Sequence, residues 1–252
     1  MEKITSRKNQ NIIRIRQLEK DARFRNEQGE YMLDGLKLLT EAISAGAEVT
    51  SVFWKNEADA VEGLRCALQY ELPAELFDFI SPMENSPGPV FTVRMQRSDT
   101  SKPAGRVIVL ENVQDPGNVG TVLRTACAMG IDAVILTGDC ADIYSPKAAR
   151  ATMGAIFRQR VMKISCEELK PVLNAWGLWL YGAVLSPEAK NVLTTDVTHC
   201  AVAIGNEGNG LSKAVRALCD GELIIPMEPF SESLNAAVAA SIFMWEMRGR
   251  TI

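Results

Sequence analysis

Histidine is almost missing from this chain. His199 is the one imidazole in 252 residues, and the six cysteines, at 66, 127, 140, 166, 200 and 219, form no CxxC pair. That scarcity argues against a zinc site, and a chain long enough to bury a sizeable core has no need of a disulfide framework. No apolar run approaches the roughly 20 residues of a membrane span. The first ten residues, MEKITSRKNQ, lack the apolar stretch of a signal peptide. The expected setting is therefore the reducing cytoplasm, with neither metal nor membrane. No internal repeat is visible, and no GxGxxG follows a first strand, which weighs against a nicotinamide-dependent oxidoreductase.

What is present is an ordinary globular composition, 47% hydrophobic and 23% charged, with length for one large or two ordinary domains. The net charge of −4 is unevenly spread. Residues 1–25 carry eight basic side chains (Lys3, Arg7, Lys8, Arg14, Arg16, Lys20, Arg23, Arg25) against Glu2, Glu19 and Asp21, a local +5 that leaves −9 for the rest. A basic segment on an acidic body can dock on phosphate, with Lys8, Arg14 and Arg23 as candidate contacts. A solvated helix face accounts for the same charges equally well.

Ile12, Ile15 and Leu18 recur at helical spacing within residues 9–23. Short apolar strands then alternate with helical stretches: strands at 31–33, 51–54, 76–80 and 90–95, helices at 36–45 and 58–70. This predicts a small α/β domain over 1–95, and the polar QRSDTSKPAG reads as a linker at 96–105. From 106 to 252 a second series begins, with strands at 107–110, 133–136, 160–164, 178–184, 201–204 and 223–226. Helices fall at 119–129, 147–155, 167–175, 211–219 and 232–248, the last opened by Ser231 as N-cap. The alternation predicts a mostly parallel sheet covered by helices on both faces. The final helix is apolar nearly all round: Leu234, Val238, Ile242 and Trp245 line one face, and Ala237, Ala240, Met244 and Met247 another. One side fits the sheet, and the other fits either a second subunit or a single larger core.

Three segments after strands are too polar or too glycine-rich for mere connection. In ENVQDPGNVGTVLRTACAMG, Asp115-Pro116-Gly117 turns the chain into a helix near Asn118, which suits an N-cap, and Arg124 follows in an otherwise apolar stretch. A buried salt bridge would explain that arginine as well as a chemical role. In SPKAARATMGAIF, Lys147 and Arg150 share a helical face, and phosphate contact competes with simple solvation. In GNEGNGLS the glycines allow close backbone approach to a ligand, and Glu207 is the one acid between Asp196 and Asp220.

Together DPGNVGTVLRTA, GNEGNGLS and IPMEPFSESLNAAVA resemble motifs 1, 2 and 3 of the SpoU (TrmH) branch of the SPOUT methyltransferases, in order and in spacing. SPKAARATMGA matches a stretch these proteins carry between motifs 1 and 2, and residues 1–95 resemble the L30-like RNA-binding domain often fused in front. The resemblance implies a C-terminal α/β domain with a trefoil knot, a homodimer, and methyl transfer from S-adenosylmethionine to a ribose 2′-hydroxyl. The substrate it implies is structured RNA, 23S rRNA first, with tRNA or a catalytically silent RNA-binding relative as the alternatives. By position it assigns Asn118, Arg124, Glu207, Ser233 and Asn235 to the reaction, and Gly205, Ile225, Leu234, Met227 and Val184 to the donor. Pro229 departs from the glycine common in motif 3. Deprotonating a guanidinium of pKa ~12.5 at pH 7 would cost about 7 kcal/mol, so Arg124 is expected to act as a cationic donor toward the developing alkoxide. Glu207 is expected to orient it, while Asn118, Ser233 and Asn235 fix the ribose and the motif loops.

Overall fold

The computed structural model describes every residue except 56–60, 62–63, 66–67, 97–98, 100, 229–232 and 250–252. The chain separates into two units, 1–97 with 142–158, and 98–141 with 159–252. The first division falls inside the expected 96–105 linker. The second is a departure, because residues 142–158, expected inside the C-terminal domain, belong to the N-terminal unit.

In the first unit the elements are β1 (Glu2–Lys3), α1 (Gln10–Lys20), α2 (Ala22–Gln28), β2 (Glu30–Asp34), α3 (Leu36–Ser44), β3 (Val49–Lys55), β4 (Leu68–Leu72), α4 (Ala74–Ile80) and β5 (Val90–Arg94). The strands order as β1-β4-β3-β5-β2, with β5 antiparallel to both neighbours and the remaining pairs parallel. Asn9 caps α1 through the Asn11 N–H at 2.9 Å, and the predicted stripe Ile12, Ile15 and Leu18 is buried against Phe53, Tyr70 and Phe77. The opposite face gathers Tyr31, Leu33, Trp54 and Phe91 with Ala149, Ile156 and Phe157, which is why residues 142–158 fold here.

Two expectations fail in this unit. Residues 76–80 are helix rather than strand: Pro73 starts α4, and Leu76, Phe77 and Ile80 are buried at helical spacing. A five-residue stretch with four apolar residues around Asp78 fits either period, and the preceding proline was the deciding signal. The helix expected at 58–70 lies partly outside the described residues, and its last three residues open β4, where burial alternates as a strand requires.

The second unit contains β6 (Arg106–Glu111), α5 (Pro116–Met129) and β7 (Ala133–Thr137). The chain then supplies α6 (Pro146–Ala151) and a 3₁₀ turn, Ala155–Phe157, to the first unit, before β8 (Val161–Lys163), α7 (Cys166–Trp176), β9 (Trp179–Ala183), β10 (Lys190–Asn191), β11 (Cys200–Ile204), α8 (Lys213–Leu218), β12 (Gly221–Ile224) and α9 (Ala236–Arg248). Its seven strands order as β10-β12-β9-β11-β6-β7-β8 and every pair is parallel. One face of the sheet (Val107, Val109, Ile135, Leu180, Ala203) packs on Leu169, Leu173 and Val215 of α7 and α8. Helix α9 packs on α5, β6 and β11 and buries Ala237, Ala240, Met244 and Met247, one of the two apolar faces read in the sequence. The strand order switches sides at β6, with β7 and β8 added on one side and β11, β9 and β12 on the other, so the loops after the parallel strands lie at one edge, where open α/β sheets hold ligands.

Arg25 is one of the buried charged groups of the first unit, at 3% exposure. Nε and Nη2 donate to Asp142 Oδ2 at 3.0 and 2.5 Å, and Nη1 donates to the carbonyls of Leu18 and Glu19 at 2.7 and 3.1 Å. Removing one partner of a buried pair costs about 3–5 kcal/mol. Arg25→Ala is therefore expected to lower the unfolding free energy by roughly that amount in urea titration; a loss below about 1 kcal/mol would show that the pair is dispensable.

Candidate active site

At the carboxyl ends of β9, β11 and β12 lies a cavity of about 450 Å³. Its lining includes all five residues expected to meet the donor (Val184, Gly205, Ile225, Met227 and Leu234), together with Glu207 and Ser233. One wall is the loop 205–211, which closes on itself: Asn206 N–H donates to Gly210 O at 3.0 Å, and Gly210 N–H to Asn206 O at 2.9 Å. That closure explains two glycines. An added Cβ at Gly205 would lie 2.1 Å from the Gly210 carbonyl carbon, and Gly210 sits at φ +65°.

Glu207 ties this loop to the start of α5. Its Oε1 accepts from Asn118 Nδ2 at 2.9 Å and from the Asp115 N–H at 3.2 Å, while Oε2 accepts from the Gln114 N–H at 3.3 Å. Partial burial pushes the Glu207 carboxyl up, but the hydrogen bonds from Asn118 and these backbone groups outweigh it and hold the pKa below the ordinary carboxylate value. Asn118 is not the helix cap expected of it. Asp115 caps α5, accepting from the Asn118 N–H at 2.9 Å, with Pro116 as the first helical residue. The Asn118 side chain is thereby free to accept from Asn235 Nδ2 at 3.0 Å.

Asn235, not Ser231, caps the last helix. Its Oδ1 accepts from the Ala237 and Val238 N–H groups at 2.9 and 3.3 Å, so one amide starts α9 with its oxygen and joins the polar cluster with its nitrogen. Ser231, Glu232 and Pro229 lie outside the described residues. Four of the five expected polar residues thus gather here: Glu207, Asn118 and Asn235 in one hydrogen-bonded chain, and Ser233 on the cavity wall.

Arg124 does not join them. It is exposed on α5, does not line the cavity and bonds to no described residue. Glu207, expected to orient it, is engaged by Asn118 and two backbone amides instead. The buried salt bridge that would have explained Arg124 is likewise absent among the described residues.

The expected phosphate contacts also divide. Arg14 donates to the fully buried Glu30 and Arg23 pairs with Glu27 at 2.8 Å, so both have carboxylate partners within the fold. Lys8 makes no ion pair with a described residue, Lys147 is exposed, and Arg150 is half-buried.

Three residues of the site escaped the sequence reading. Asn206 Nδ2 donates to Asn112 O at 2.9 Å, while its Oδ1 accepts from the Gly208 and Asn209 N–H groups at 3.0 and 3.1 Å. Buried Glu111 accepts the Ser212 N–H at 2.8 Å, pinning the far end of the same loop. Arg216 reaches the cavity from α8. An acid closing an apolar strand was the one available signal, at Glu111.

A parallel α/β domain with a small-molecule cleft at its carboxyl edge, fused to a second α/β unit, is the class of protein these features define. Comparison with known proteins narrows it: the chain belongs to the SpoU rRNA Methylase family, whose profile matches residues 105–245, and an MRM3-like substrate binding domain matches residues 9–90. The chain is 31% identical over 253 residues to the Bacillus subtilis 23S rRNA (guanosine(2553)-2′-O)-methyltransferase RlmP, covering 99% of this chain and 100% of that one. Among solved structures it is similar to an AdoMet-bound rRNA methyltransferase from Sinorhizobium meliloti (TM-score 0.87, 26% identity, 100% and 98% of the two chains). It is also similar to the SpoU methyltransferase AviRb from Streptomyces viridochromogenes in complex with AdoMet (TM-score 0.85, 25% identity, 96% and 97%).

Asn118→Ala removes both a donor to Glu207 and the acceptor for Asn235. The Glu207 pKa, followed by carboxyl-carbon NMR, is expected to rise toward its ordinary value. Because the carboxyl is depressed in the folded protein, its stabilisation is complete above the unfolded-state pKa and drains as pH falls through the folded one. The variant should therefore lose less stability than the parent on acidification through that window. An unmoved Glu207 titration would refute the linkage.

Proposed function

We propose that this protein transfers a methyl group from S-adenosylmethionine to a ribose 2′-hydroxyl of structured RNA, with 23S rRNA as the substrate. The observation that carries the reading is the convergence of Gly205, Ile225, Leu234, Met227 and Val184 on one cavity whose wall holds Glu207 and Ser233. About 450 Å³ lies in the range of small-molecule sites, and the apolar walls with exposed loop backbone suit a nucleoside. The bound donor would supply an electrophilic methyl on a sulfonium. The protein's own task is to hold the attacking hydroxyl in line and stabilise the charge it develops.

Within one chain, Glu207, Asn118 and Asn235 fix the motif loops against each other, and Ser233 offers a hydroxyl at the cavity wall. Arg124 bonds to no described residue, α5 packs against α9, and Val238 and Trp245 of α9 are 48% and 57% exposed. These facts support a homodimer formed through α5 and α9, in which Arg124 serves the ribose bound at the partner's cavity as a cationic donor. The trefoil knot belongs to the same reading, supported by the family membership and by the strand order around β9, β11 and β12. On the first unit, Lys8 and Arg150 remain as candidate phosphate contacts, while Arg14 and Arg23 have carboxylate partners within the fold.

Mapping 2′-O-methyl sites in ribosomal RNA from a strain lacking the protein is expected to reveal one missing mark, restored by the parent gene and not by Arg124→Ala; an unchanged map would refute the substrate. The dimer has its own check. Trp245→Glu is expected to shift the sedimenting species to a monomer and abolish turnover. Mixing inactive Arg124→Ala with inactive Glu207→Gln chains should restore about a quarter to a half of the activity per dimer if Arg124 acts across the interface, and none if it acts within its own chain.

A further inference from the structure

The two sides of the cavity differ in chemistry. Toward α9 it is walled by the apolar Leu234, Ala236, Ala239 and Phe243, with Ser233 at their edge. Toward α8 it is walled by Leu211 and Arg216. Among the described residues lining the cavity, Arg216 and Glu207 are the two that ionise. Glu207 accounts for its lone pairs with Asn118 and the backbone of the α5 turn, whereas part of the Arg216 guanidinium is taken by no described residue.

Arg216 is held in place from behind. Its Nε and Nη2 both donate to Glu222 Oε1, at 2.9 and 2.6 Å, with Glu222 in β12 immediately before the cavity-lining Leu223. A guanidinium carries five N–H groups. Two are spent on Glu222, and the remaining three have no partner among the described residues. A pre-set guanidinium with free N–H groups beside a cleft is suited to a carboxylate.

The methyl donor bears one anionic group, the carboxylate of its amino-acid arm, beside two cationic ones, the ammonium and the sulfonium. Resting on the reading of this cavity as the donor site, we propose that Arg216 binds the donor's carboxylate. The amino-acid arm then runs along the α8 side while the adenosine takes the apolar α9 side. Glu222 acts as a positioning residue that fixes the guanidinium. The bland reading, a cation stabilising the C-terminal end of α8 through its ion pair, predicts no dependence on the ligand's carboxylate.

Calorimetric titration with S-adenosylmethionine and with decarboxylated S-adenosylmethionine, which differ by that carboxylate, separates the two. In the full-length protein Arg216→Met is expected to weaken S-adenosylmethionine about 10- to 100-fold, or roughly 1.4–2.8 kcal/mol. Binding of the decarboxylated ligand should change less than about twofold, and Arg216→Lys should fall between parent and methionine variant for S-adenosylmethionine. Equal losses for both ligands, or no loss for either, would overturn the carboxylate contact while leaving the donor site standing. Failure of the parent protein to bind either ligand would overturn the donor reading and this proposal with it. Should the methionine variant unfold in a thermal melt, the lysine variant carries the same comparison.

Discussion

Everything at the site depends on a single carboxylate that joins two loops. Ordering a glycine-rich loop such as 205–212 is entropically expensive, about 1–2 kcal/mol per residue before any side chain is counted. Three attachments offset that cost. Asn206 reaches the Asn112 carbonyl, Glu207 gathers the Gln114 and Asp115 N–H groups and Asn118, and Glu111 takes the Ser212 N–H. Hydrogen bonds to a charged acceptor contribute roughly 1.5–3 kcal/mol each, so Glu207 is the largest of the three. It also acts where the others do not, because Asn118 passes the constraint on to Asn235 and hence to the first turn of α9.

Charge is used differently in the two units. The basic N-terminal stretch looked like a phosphate-binding arm, yet most of its cations have structural partners: Lys3 with Glu71, Arg14 with Glu30, Arg16 with Glu19, Arg23 with Glu27 and Arg25 with Asp142. The exposed pairs contribute little to stability, about 0–1 kcal/mol, and can exchange their carboxylate for a phosphate. The two with a buried member cannot, since releasing Glu30 or Arg25 would leave a bare charge in the core. What the unit can offer RNA is therefore a thinner set of cations than the sequence advertises, and this fits a body whose net charge is negative.

Strand positions in the second unit were legible because most are short apolar runs followed by a polar turn, whereas the donor residues came from the resemblance of the three motifs and not from the strands themselves. The ends of helices were not. Ser231 and Asn118 each looked like an N-cap, and the chain uses Asn235 and Asp115 instead. Ser, Asn and Asp near a helix start have nearly equal capping energies, so tertiary contacts choose among them. The strand expected at 76–80 failed because a window of five residues, four of them apolar, is too short to carry a period. Residues 142–158 failed for a different reason: their apolar side chains must be buried somewhere, and nothing local says in which core. Asn206 and Arg216 were invisible because their roles arise from contacts that span elements.

Arg124 leaves a question of solvent. Its guanidinium stands exposed on α5, and a charge in open water stabilises an alkoxide weakly, because the field of the cation is screened before it reaches the oxygen. For Arg124 to contribute the few kcal/mol expected of a well-placed donor, something must cover it when substrate is bound. Helix α9, which packs on α5, exposes an apolar side: Trp245 and Val238 are costly to leave in water, while the opposite face of the same helix is buried. A second copy laid over α9 would remove both penalties at once, drying the arginine and burying the tryptophan. RNA alone would achieve the first and not the second, since an indole among solvated phosphates gains little. The exposed apolar residues on α9, the helix packed against α5, therefore favour a second protein chain over RNA as the cover.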